Sequence, residues 1–190
     1  MHDRGQRDHV KAKFAAGFLQ HREVAIEPEL AIVDPHHHLW EDLTNPLATL
    51  YTLPELLHDL NGGHDVVGTV YLECTSHWYT SGPAVFRPVG ETAWVAGLDL
   101  PDGVMGAIVG YADLRRGATA RAVLEAHITA GRGKFAGVRH SVAWDPHPDV
   151  PNTAREVPPG TQLEPAFVNG VRLLGELGLS FDAWMYFHQL

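Results

Sequence analysis

The 190-residue chain has a single cysteine, so it cannot close an internal disulfide. It is also short of positive charge, with 14 Lys and Arg against 23 Asp and Glu and a net charge of -9. No Lys/Arg-rich run offsets that balance, which excludes the electrostatic footprint of a nucleic-acid or anionic-membrane binder. Apolar runs long enough to span a bilayer are missing. The opening MHDRGQRDHVKAKF has no apolar signal core, and a cytoplasmic location is the expectation that follows. Neither GGHDVVG nor GRGKFAG has the spacing of a phosphate-cradling glycine loop. What remains is an ordinary globular composition, 45% hydrophobic and 19% charged, with one excess: 13 histidines, three of them consecutive.

Hydrophobic periodicity divides the chain. Residues 1–30 read as a polar N-terminal arm with a short helix around Lys11–Gln20. Strand-like runs follow at Ala31–Pro35, Val66–Glu73, Val104–Tyr111, Phe135–Val142 and Leu179–Tyr186. Between them, helical patterns occupy Leu53–Leu60, Glu91–Leu98, Thr119–Ala130 and Pro165–Leu177. Ser76–Pro88 and the proline-rich Trp144–Gly160 read as loops. Strands alternating with helices at this spacing imply βα units around a parallel sheet.

Asp34-Pro35-His36-His37-His38 stands at the end of the first strand. Alternation sends His36 and His38 to one side and His37 to the other. Two imidazoles so placed can chelate one divalent ion such as zinc, while the triplet also suits a histidine-rich surface loop. Cys74 reads as a small buried hydrophobe, and Trp40 and Trp184 as packing residues. His77, Trp78 and Tyr79 could form an aromatic wall beside a ligand, and His2, His9, His21, His58, His64, His127 and His147 read as solvated.

IVDPHHHLW resembles the first-strand signature of the amidohydrolase-related TIM-barrel family, in its sugar-lactone and dicarboxylate-lactone hydrolase branch. The resemblance extends in order through GHDVVGTVYLEC, PVGETAWVAG, GAIVGYADL, FAGVRHSVAWD and LGLSFDAWMYFHQL. It implies an α/β fold of the (β/α)8 barrel type, of which residues 31–190 would supply about five of eight βα units. It also implies His36 and His38 as ligands of a divalent metal, zinc or manganese, and His188 as a catalytic residue. Glu73, Arg139, His140 and Gln189 would bind substrate, with Arg139 clamping a carboxylate or a carbonyl.

The implied activity is opening of a lactone or related cyclic ester by activated water. A metal-dependent decarboxylase on the same scaffold is the alternative within enzymes. The implied general base would come from a strand beyond Leu190, so the 190-residue chain is expected to be weakly active or inactive. The reading from a different class is an inactive partial barrel that self-associates through raw sheet edges, and a homo-oligomer is a possible partner state.

Overall fold

A computed structural model of the chain describes residues 24–41, 50–151 and 157–190. The expected helix around Lys11–Gln20, most of the N-terminal arm, and His2, His9 and His21 lie outside the described residues.

Strand β1 (Ala31–His37) is the first strand of the described residues. Helix α1 (Leu53–Leu60) follows, with Pro54 in its first turn and a reciprocal capping box between Thr52 and Glu55. Then come β2 (Asp65–Leu72), α2 (Val89–Ala96), β3 (Ala107–Gly110), α3 (Arg121–Ala130), β4 (Phe135–Arg139), α4 (Pro165–Glu176) and β5 (Ser180–Asp182). All neighbouring strands pair in parallel, in the order β1-β2-β3-β4-β5. One contiguous core joins helices to sheet: Leu56, Val95, Leu124, Phe167 and Leu174 pack with Tyr71, Ile108 and Val138. His127 belongs to this interior, fully buried against the Phe135 ring, which corrects its expected solvated placement. Its nitrogens make up for the lost water by bonding Thr92 Oγ1 (2.8 Å) and the Tyr111 carbonyl (3.0 Å).

The expectation that residues 31–190 form about five of the eight units of a (β/α)8 barrel is also corrected. Closure of a barrel requires the first and last strands to hydrogen-bond. Among the described residues β1 pairs only with β2 and β5 only with β4, so the sheet is open and the architecture is a five-stranded parallel α/β fold. The sheet is nevertheless curled, because Arg139 at the end of β4 reaches His36 at the end of β1 across two intervening strands.

Two elements are shorter than their periodicity. The third strand starts late because Gly103 and Met105 take positive φ (83° and 47°), so the apolar Val104–Gly106 segment is spent on a turn. The fifth strand ends at Asp182, its last register partner being Arg139, and the chain then leaves the sheet for a 3₁₀ turn at Phe187–Gln189. Among the described residues no helix is long and apolar enough to cross a membrane.

Candidate functional site

The histidine pair owes its geometry to an irregular strand end. From Asp34 to His37 β1 advances three residues while its partner advances two, from Thr69 to Tyr71. The extra residue falls at Pro35-His36, where proline has no N–H to give and Asp34 Oδ1 accepts the His36 N–H instead (3.1 Å). His37 turns into the sheet's packed side, buried, with Nε2 at 3.0 Å from Thr69 Oγ1 and its ring edge-on to Tyr71. Burial holds its pKa below the usual imidazole value. His36 and His38 go the other way and converge, Nε2 to Nε2 at 3.1 Å.

That separation fits a shared cation. Two zinc–imidazole bonds of about 2.0–2.1 Å at a tetrahedral angle bring their nitrogens about 3.3 Å apart. His38 Nδ1 donates to the Leu72 carbonyl (2.8 Å), which fixes the tautomer and leaves the Nε2 lone pair pointing at His36. Burial pushes the His38 pKa down to about 4, so the ring is neutral, the form that ligates. Two ligands are what the described residues offer, since no group of three or more His, Cys, Asp or Glu gathers around one point among them.

Behind the pair stands a buried ion pair. Arg139 Nε donates to Glu73 Oε1 (3.3 Å), Nη2 donates to the Glu73 carbonyl, and Nη1 lies 3.4 Å from His36 Nε2. The Trp184 ring covers the guanidinium at 4.7 Å. Arg139 therefore spends its fork inside the protein. It positions His36 and Glu73, and little of it is left to clamp a carboxylate as expected. A cavity of about 300 Å³ opens beside it, walled by His36, Arg139, Asp182, Ala183, Trp184 and Met185.

The other expected residues stand elsewhere. His140 follows Arg139 and so faces oppositely, fully buried between the Tyr111 and Phe167 rings, with Nδ1 accepting the Leu114 N–H (3.1 Å). Gln189 uses its amide as a brace. Its Oε1 accepts from Trp144 N (3.0 Å) and Tyr186 N (3.1 Å), and its Nε2 donates to the Val142 carbonyl (2.8 Å). His188 is exposed, its ring between the Trp144 carbonyl (3.2 Å) and Asp145 Oδ2 (3.7 Å), and it does not wall the cavity.

Periodicity alone passed over two residues. Glu91 lies buried in the apolar helix α2, and its carboxylate gathers the loop after β2. It accepts from Tyr71 OH (2.9 Å), Cys74 N (2.7 Å), Ser76 N (3.3 Å) and Trp78 Nε1 (3.0 Å). Burial raises its pKa above the usual carboxylate range. A lone carboxylate inside VGETAWVA was the available signal, since such groups are buried only when paired. The loop it gathers holds Trp78 stacked on Tyr111 and His77 stacked on Trp94, so these aromatics are packed together and are not part of the cavity wall. Burial pushes the Cys74 thiol up, which removes the thiolate a nucleophile would need. The second unforeseen residue is Asp182, in the cavity wall, together with Trp184, which the sequence placed among packing residues.

No family model matches the chain, and no solved structure matches it. It is similar to an uncharacterized protein, y4mH, of Sinorhizobium fredii (strain NBRC 101917 / NGR234), 28% identical over 180 residues, covering 85% of this chain and 56% of that protein. The chain thus spans about half the length of the curated relative it matches.

Proposed function

We propose that the cavity is the site of a hydrolase that opens a lactone or related cyclic ester, with a divalent cation held by His36 and His38. The observation that carries this reading is the 3.1 Å convergence of the two Nε2 atoms beside the cavity, with the His38 lone pair fixed by the Leu72 carbonyl. When bound, a zinc or manganese ion supplies a Lewis acid for a carbonyl oxygen and lowers the pKa of water towards about 7. The chain's own residues do the rest. Glu73 neutralises Arg139 and sets its direction, and a cation on His36 Nε2 would replace the 3.4 Å contact that Arg139 Nη1 makes with that atom. Trp184 and Met185 give the cavity an apolar wall, and a volume of about 300 Å³ suits a small molecule. The net charge of -9 and the lone cysteine support a small-molecule enzyme of a reducing cytoplasm over a nucleic-acid partner.

A second reading, a chain without turnover of its own, is favoured by the two-ligand count, because catalytic zinc usually has three protein ligands. The experiment is proton release from a panel of lactones by the purified chain with added zinc or manganese. Cation-dependent ring opening is expected. No opening of any lactone favours the second reading, and release of carbon dioxide from carboxylate-bearing carbonyl compounds favours a decarboxylase.

A further inference from the structure

Besides Asp34, whose Oδ1 accepts the His36 N–H, two carboxylates stand near the histidine pair, and their surroundings divide their work. Glu73 is buried and bound to Arg139, so its charge is spent. Asp182 ends β5, in register with Arg139 on the neighbouring strand, and walls the same cavity as His36. The Arg139 guanidinium is bound to Glu73 and covered by Trp184, and it makes no ion pair with Asp182. Among the described residues the Asp182 carboxylate takes part in no hydrogen bond and no ion pair. A half-buried carboxylate, uncommitted and open to a cavity, is equipped to accept a proton.

We propose that Asp182 is the general base of this site, so that the base lies within the described chain. The proposal rests on the hydrolase reading above. An Asp182 oxygen takes one proton from the attacking water as the water oxygen bonds to the ester carbon, and the carbonyl π pair moves to its oxygen. Return of that pair breaks the ring C–O bond, and the leaving alkoxide takes the proton back from the Asp182 carboxyl. One water is consumed, one hydroxy acid is formed, and nothing is oxidised or reduced. The charged and titratable groups around the cavity are His36 from β1, Glu73 from the end of β2 and Arg139 from β4.

The test compares wild type, Asp182→Asn and Asp182→Ala on δ-valerolactone with added zinc, alongside zinc affinity by titration calorimetry and folding by circular dichroism. Asp182→Asn is expected to lose about 10²–10⁴-fold in kcat, with KM within about threefold and the acidic limb of the pH–rate profile abolished. Formate should restore about tenfold to Asp182→Ala, which a structural role would not allow. Zinc affinity should stay within about twofold of wild type; a tenfold loss makes Asp182 a ligand and overturns the proposal. An active wild type with an unmoved Asp182→Asn overturns the base alone, leaving the hydrolase reading. A folded, zinc-binding wild type that opens no lactone overturns both.

Discussion

Residue by residue, the site is built from groups whose burial has to be compensated. Arg139 and Glu73 are both about 2–4% exposed and satisfy each other. Glu73→Gln leaves a buried guanidinium without its counter-charge, and the expected cost is about 3–5 kcal/mol, measured by chemical denaturation. Replacing both partners by apolar residues of similar volume should cost far less, since that removes the desolvated charges together. His127 gives a pH signature. Burial lowers its pKa from 6.5 to about 4, so the folded state keeps it neutral while the unfolded chain protonates it near 6.5. Stability is full above pH 6.5 and falls as pH drops towards 4, by about 3 kcal/mol for this group. A His127→Gln variant should lack that part of the acid loss, and a denaturation series from pH 7 to 4 on both proteins reads the difference. Strand alternation was legible for the histidine triplet, and it also foretold that Arg139 and His140 face apart. It could not assign roles to Gln189 or His188, because their side chains are claimed by the Val142–Asp145 backbone and Asp145, contacts made only in the folded state.

The elements themselves were legible where composition and period agree. Helix α1 matches its periodic stretch, and β1, β2 and β4 begin within a residue of their apolar runs. The helix expected from Thr119 begins at Arg121, because Gly117, at φ 55°, breaks the preceding Leu114–Ala120 3₁₀ segment. Barrel closure was not legible, since no pattern within a strand says what lies beside its far edge. Two glycines test how tightly α2 and α4 are seated. A Cβ at Gly90 would sit 2.5 Å from the His77 carbonyl oxygen and 2.7 Å from Tyr79 N. Gly90→Ala should therefore cost about 1–3 kcal/mol and loosen the loop that Glu91 gathers, with Tm as the readout. At Gly175 in α4 a Cβ meets nothing within 4 Å, and Gly175→Ala should stabilise by about 0.5–1 kcal/mol.

At the scale of the whole molecule, an open parallel sheet leaves the outer edges of β1 and β5 without a strand partner among the described residues. Apolar side chains lie exposed near both, Val33 on one side and Trp184, Phe187 and Leu190 on the other. Such edges invite pairing with another chain, so concentration-dependent self-association is expected in analytical ultracentrifugation. A Val33→Lys substitution should weaken it if β1 is the edge used, and unchanged association would assign it to β5. Zinc titration calorimetry on the folded chain is the sharpest check on the proposal that His36 and His38 jointly hold one divalent cation. One equivalent bound by wild type is expected, with at least a tenfold loss of affinity in both His36→Ala and His38→Ala and no change in His147→Ala on its exposed loop. Equal affinity in all four proteins would contradict it.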